Sequence, residues 1–272
     1  SAKHISGAAN GLVQEAALLA FTNHENIIGL HGISVGSLLE DRRVVLDDNM
    51  NHFFILLDRL EMTLEQKITE WKRENELSKP PSWRLRRKHQ RRLDQLYDRL
   101  RVVLAMARGV QYLHENMIVH CDIKPKNVGF DENGVVKLFD FGLGVKLNHE
   151  KESIRSCSGT PAYMAPELHL KEPHGKAVDV FAFAITLWQI CALESKPIYA
   201  PASLSVDEAY TIFVDGVRTI DDRPAMERWW PAKLRELMAE CWSGEPSDRP
   251  SFNEIVERLD RILEGCRLTE RQ

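Results

Sequence analysis

Residues 178–190 read VDVFAFAITLWQI, and this run limits the fold more than any other stretch. A helix with apolar side chains on nearly every face has no side to give to water, so it belongs in the middle of a helical layer. It is too short to cross a bilayer, and Gln189 interrupts it near its end. A chain of 272 residues that is 43% hydrophobic can build the core such a helix needs. Amphipathic helices are expected around it. Leu93, Leu96, Leu100, Val103, Leu104, Ala107, Val110 and Leu113 recur at three- and four-residue steps. Further helices are expected near 231–241 and 251–264, the second capped by Ser251 with Glu254 in the capping-box position.

The first part of the chain reads differently. GLVQEAALLAF at 11–21 has a helical period, whereas IIGLHGI (27–33) and HFFILLDRL (52–60) read as strands joined by a turn-rich stretch ending near DDNMN. MIVH at 117–120 is a short strand. NVGF and VVKLFD flank Asp131-Glu132-Asn133-Gly134, where Asn-Gly is a hairpin turn signal. The fold class is therefore α+β: a small mixed lobe over residues 1–60 and a large, mainly helical lobe over 61–272. Residues 66–95 are highly charged, broken by Pro80-Pro81 and basic after Trp83, and they read as an insertion that lengthens the first helices of the large lobe. As a charged surface it is a candidate dock for a regulatory protein partner.

Bulk properties exclude several classes. A formal charge of -4 and a pI near 6.2 give no electrostatic case for nucleic acid. No membrane span appears. The five cysteines are scattered, without metal spacing or a disulfide framework, which points to a cytoplasmic or nuclear compartment.

The chemistry gathers in VHCDIKPKN (119–127) and LFDFG (138–142). The Asn133-Gly134 hairpin returns Asp140 to the loop that begins at His120. Two acids at a cleft edge, with Lys124 and Asn127 near them, suit metal–phosphate chemistry, because hard oxygen ligands hold magnesium and a lysine neutralises phosphoryl oxygens. His120 is expected to be packed against backbone near Asp140. Trp229, Trp230 and Trp242 are expected to anchor helix packing.

These stretches resemble the eukaryotic protein kinase family. VHCDIKPKN is similar to its catalytic loop, DFG (140–142) and APE (165–167) to the two ends of its activation segment, and CWSGEPSDRPSF (241–252) to its late arginine motif. The Cys-Trp…Arg-Pro form is closest to the tyrosine-kinase-like group, and Lys124 with SGTPAYMAPE resembles Ser/Thr-directed members. The resemblance implies a bilobal kinase fold that transfers the γ-phosphoryl of ATP, with Mg2+ or Mn2+, to a protein substrate. It implies Asp122 as base, Lys124 on the phosphate side, Asn127 and Asp140 as metal ligands, and Asp179 as a brace for the loop. Glu15 would pair with an ATP-binding lysine, for which Lys3, at the end of a strand, is the candidate. Leu57 would be the gatekeeper, with Asp58, Arg59 and Leu60 as the hinge against adenine. Leu19, Phe141 and His120 would stack as a spine, and Arg249 would pair with Glu167.

The chain departs from the family pattern in two places. No Gly-rich loop precedes Lys3, which leaves the small lobe truncated and implies that the loop lies upstream in a longer protein. Cys121 stands where the family has the arginine that reads an activation-loop phosphate. Turnover is accordingly expected to depend weakly on phosphorylation of Ser153, Ser156 or Ser158.

Overall fold

The computed structural model describes residues 2–34, 37–40, 43–46, 54–77, 85–150, 153–154, 159–196 and 223–269. The apolar run becomes a helix at Ala177–Ala192, buried from Val178 through Leu187. In chain order the elements are α1 (Ala2–Leu19), β1 (Leu30–Ile33), β2 (Ser37–Glu40), β3 (Arg43–Leu46), β4 (Ile55–Leu57), β5 (Met62–Thr63), α2 (Leu64–Leu77) and α3 (Leu85–Glu115). They continue with β6 (Ile118–Val119), β7 (Val128–Phe130), β8 (Val136–Leu138), β9 (Val145–Lys146), α4 (Pro166–His169), α5 (Ala177–Ala192), α6 (Ala232–Cys241) and α7 (Phe252–Thr269). The chain is bilobal. A mixed sheet-and-helix lobe comes first, and a mainly helical lobe built around α3 and α5 follows.

Among the described residues the strands pair antiparallel in four small sheets: β1 with β4, β2 with β3, β5–β7–β8, and β6 with β9. The β7–β8 hairpin forms as expected. Gly134 takes a φ of 76°, and Asp131 Oδ1 accepts the N–H groups of Asn133 and Val135, both at 2.9 Å, which closes the turn. The capping box on α7 is also present, with Ser251 N–H donating to Glu254 Oε2 at 2.8 Å and Glu254 N–H to Ser251 Oγ at 3.4 Å.

The first lobe departs from the sequence reading at several points. The helix expected at 11–21 begins at Ala2 and runs through Gly7 and Gly11. Lys3 therefore sits in its first turn and not at a strand end. The turn-rich stretch contains the β2–β3 hairpin, and the strand expected over 52–60 is confined to Ile55–Leu57. Farther on, α3 extends back to Leu85, so the basic end of the charged insertion is the start of a 31-residue helix.

The lobes are joined through residues 26–28. Asn26 O accepts Leu138 N–H at 2.9 Å and Asn26 Nδ2 donates to Val136 O at 3.1 Å, so this segment runs beside β8. Gly109 of α3 lies against the join. A Cβ there would stand 2.8 Å from both Asn26 O and Leu138 Cδ1. Alanine normally gains about 1 kcal/mol over glycine in a helix, but overpacking against a fixed carbonyl costs about 1–3 kcal/mol, and the clash should win. Gly109→Ala is expected to lower Tm by several degrees in a thermal melt. An unchanged or higher Tm would show that the join yields at no cost.

Candidate active site

The loop from His120 to Asn127 leaves β6 and crosses the end of the hairpin. Asp179, at the start of α5 and fully buried, shapes it from below. Asp179 Oδ2 accepts His120 N–H at 2.8 Å and His114 Nε2 at 2.9 Å, and Oδ1 accepts Cys121 N–H at 2.9 Å. These bonds hold Cys121 at a φ of 66°, a left-handed conformation that costs a non-glycine residue about 1 kcal/mol or more. The expected brace is therefore present. His114 is a part of it that the sequence did not reveal, since a histidine at a helix end carries no ligand spacing.

Asp122 is buried at the head of the loop. One carboxylate oxygen, Oδ1, accepts Thr160 N–H at 2.9 Å. The other accepts Asn127 Nδ2 at 3.0 Å and pairs with the Lys124 ammonium. Lys124 also donates to Thr160 Oγ1 at 2.7 Å. Burial alone would raise the Asp122 pKa, but hydrogen bonds from Lys124 and Thr160, together with the lysine charge, bring it below 3.8. Asp122 is therefore a carboxylate at neutral pH.

Thr160 reaches Asp122 because Gly159 precedes it. A Cβ on Gly159 would lie 2.7 Å from Cys121 O, so only glycine lets the two loops approach this closely. The Gly159-Thr160 dipeptide was the available sequence signal for this contact.

On the far wall, Asp140 has a φ of 64° and an exposed side chain. Phe141 is fully buried with its ring 4.9 Å from that of His120, and His120 Nε2 lies 3.3 Å from Phe139 O. His120 is thus a packed residue, as expected. Glu15 Oε1 accepts Phe141 N–H at 3.1 Å, tying α1 to the Asp140–Gly142 turn. Burial raises the Glu15 pKa above 4.5, and the nearby Asp140 charge adds to the effect against the Phe141 N–H.

Lys3 and Glu15 share α1, twelve residues apart. At 1.5 Å per residue that is about 18 Å along the axis, beyond the reach of a lysine side chain. The backbone of residues 2–10 is helical, so α1 carries both residues and no strand end presents Lys3 to Glu15.

The raised Glu15 pKa gives a stability prediction. The folded chain holds a proton that the unfolded chain has already released above pH 4.5, so this contribution is intact below that pH and is lost as pH rises through the folded value. Glu15→Gln is expected to raise Tm at neutral pH, with the gain shrinking to nothing in acid. A destabilised variant at neutral pH would contradict the stated balance.

Leu57 is half-buried and pairs with Leu30 across β1 and β4. Asp58 is occupied with structure: Gly29 N–H donates to it at 2.7 Å, and His31 and Lys137 approach its two oxygens at 2.7 and 3.5 Å. Arg59 is exposed beside Glu61, and Leu60 lies over Gly129 of β7.

Among the described residues, no group of three His, Cys, Asp or Glu side chains is arranged to hold a metal. The donor chemistry nevertheless fits one magnesium. Asn127 commits its amide nitrogen to Asp122, which leaves its oxygen without a donor among the described residues, and the exposed Asp140 carboxylate has no ion-pair partner among them.

A bilobal chain with an acid–lysine–asparagine loop under a second acid is an arrangement for handling phosphates. The profile described as "Protein tyrosine and serine/threonine kinase" matches residues 2–259, and the chain belongs to that family. It is similar to the dual specificity protein kinase shkB of Dictyostelium discoideum, 38% identical over 159 residues, 57% of this chain and 23% of that protein. It is also similar to the serine/threonine-protein kinase STY17 of Arabidopsis thaliana, 35% identical over 165 residues, 60% of this chain and 27% of that protein. Integrin-linked protein kinase 1 of Arabidopsis thaliana is 33% identical over 176 residues, 61% of this chain and 36% of that protein. The chain thus spans about a quarter to a third of the length of these relatives. No described helix is long and apolar enough to cross a membrane.

Proposed function

We propose that the chain is the catalytic domain of a serine/threonine protein kinase of the tyrosine-kinase-like group. The observation that carries this reading is Lys124 bridging Asp122 and Thr160, with Asp122 held ionised. The hydroxyl of a protein substrate would donate to Asp122. As its oxygen bonds to the γ-phosphorus and the bond to ADP breaks, its proton passes to that carboxylate. Lys124 lies where it can neutralise charge on the transferring oxygens. Asn127 and Asp140 would hold magnesium or manganese, which when bound neutralises the ATP phosphates. Leu57 and the Asp58–Leu60 backbone would border the adenine.

A second reading, a scaffold that binds partners through the lobe surface and the charged insertion, is favoured by one observation. Among the described residues Glu15 bonds to backbone and has no lysine partner.

Magnesium-dependent transfer from γ-labelled ATP to a generic protein substrate, made with the full-length gene product, separates the two. Phosphoserine and phosphothreonine are the expected products. Phosphotyrosine as the main product would overturn the hydroxyl specificity. Absence of both transfer and thermal stabilisation by magnesium-ATP would establish the scaffold reading.

A further inference from the structure

A cavity of about 370 Å3 opens in the large lobe between the first half of α3, the end of α5 and residues 225–230. It lies apart from the site above. Asp179 braces the catalytic loop at one end of α5, and Cys191 lines the cavity twelve residues later, about 18 Å farther along the helix. Its volume falls in the range of pockets that hold small molecules, roughly 300–1,000 Å3.

The lining is built from donors and aromatic rings. Arg92, Gln95 and Arg99 share one face of α3, and Trp188, Trp229 and Trp230 contribute indoles. Arg99 is only 6% exposed. Its guanidinium donates to the backbone oxygens of Gln95 at 3.0 Å and Ile190 at 3.4 Å, and no carboxylate among the described residues pairs with it. A buried guanidinium without an ion-pair partner is costly, so its retention calls for an explanation. Burial also lowers the pKa of Arg99. A second donor is unsatisfied at the same wall: the Trp230 indole N–H, on a residue 2% exposed, has no hydrogen-bond partner among the described residues.

The remaining charges do not cancel this. Glu194 lines the cavity but is matched by Lys72 at 3.1 Å. With Asp98 beside Arg99 likewise matched, by Arg101, Glu227 stands against Arg92 and Arg99, which leaves one cationic charge in excess. Arg92 sits 5.4 Å over the Trp229 ring, at the exposed mouth. Cys191 supplies no reactive thiolate, since burial pushes its thiol up to about 12.

We infer that this cavity is a binding site for a small organic anion, a carboxylate or phosphate carried on an aromatic body. The acidic group would pair with Arg99 and accept the Trp230 indole N–H, and the ring would lie among Trp188 and Trp229. Arg92, exposed at the mouth, would draw anions toward it. The inference stands whether or not the domain transfers phosphate.

The test titrates the full chain with benzoate, phenyl phosphate and neutral benzyl alcohol, read by tryptophan fluorescence and calorimetry. A saturating ATP analogue is present to occupy the cleft. At least one anion is expected to bind saturably in the millimolar range, and benzyl alcohol is not. Which anion binds more tightly distinguishes a carboxylate ligand from a phosphate one. Arg99→Met should weaken binding at least about tenfold and Trp230→Phe about threefold or more, whereas Asp122→Asn should bind as the native chain does. If Arg99→Met does not fold, Arg99→Gln and Trp230→Phe decide the matter. No saturable anion binding, or equal binding to the native chain and to both cavity variants, would overturn the assignment.

Discussion

Asp122→Asn should cut phosphoryl transfer by at least about a hundredfold, the contribution expected of a positioned general base, while leaving stabilisation by magnesium-ATP in place. The bonding around Asp122 makes this substitution harsher than its size suggests. The native carboxylate offers two acceptor oxygens, one to Thr160 N–H and one to Asn127 Nδ2 and Lys124. Asparagine keeps a single acceptor and turns an N–H2 group toward other donors, so either the Thr160 contact or the Lys124 contact is lost. Lys124→Met tests the same cluster by another route. The Asp122 pKa is held below 3.8 in part by the Lys124 hydrogen bond and charge, so removing the lysine should raise it and shift the acid limb of the kcat profile to higher pH. A transfer rate unchanged in Asp122→Asn would remove Asp122 from the chemistry. An acid limb that does not move in Lys124→Met would mean the limb reports another group.

How far the sequence discloses the molecule depends on the range of the interactions involved. The β7–β8 turn and the Ser251–Glu254 cap are set within four residues, and both are visible in the chain alone. The burial of α5 is equally legible, because ten of the thirteen positions from Val178 to Ile190 are apolar and leave almost no solvent face. The first lobe is less legible. Residues 2–10 include Gly7, which argues against a helix locally, yet the helix continues through it from the packed segment around Ala16 and Leu19. Propensity was outweighed there by extension of an anchored helix. The β2–β3 hairpin, residues 37–46, mixes four charges with five apolar residues, and its alternation is too short to read. In the site, the residue types along the loop announced Asp122, Lys124 and Asn127. The contact of His114 with Asp179 joins segments 65 residues apart and no local pattern encodes it, whereas the approach of Gly159 to Cys121, across 38 residues, is signalled only by the Gly159-Thr160 dipeptide.

Cys121 shows how the fold accommodates a departure from the family pattern. Its backbone is still held by Asp179 in the left-handed conformation, so the loop keeps its path without the arginine side chain. Its Sγ lies 3.8 Å from Val119 O on a residue 5% exposed, which suits a structural thiol better than a reactive one.

The largest stability effect is expected at Arg249. Its guanidinium donates to both oxygens of Glu167 at 2.6 and 2.9 Å, to Ser243 O at 2.9 Å and to Ala177 O at 3.0 Å, with its side chain wholly buried over the Phe181 ring. A fork that fills this many acceptors ties the segment after α6 to α4 and to the start of α5. Arg249→Met removes the cation and strands the Glu167 carboxylate in a buried site. Breaking such a pair from one side costs about 3–5 kcal/mol, a large part of the roughly 5–15 kcal/mol that separates folded from unfolded chains. The expected result is a Tm lower by about 6–20 °C, at about 2–4 °C per kcal/mol for a chain of this size. Most of that loss comes from the stranded charge and not from the missing attraction. Adding Glu167→Gln to Arg249→Met should therefore recover part of the stability, and a double-mutant cycle would return a coupling of opposite sign to the single losses. If the double variant is as unstable as the sum of the singles, the pair is two independent anchors. If Arg249→Met melts with the native chain, the contacts across α4 and α5 hold the lobe without it.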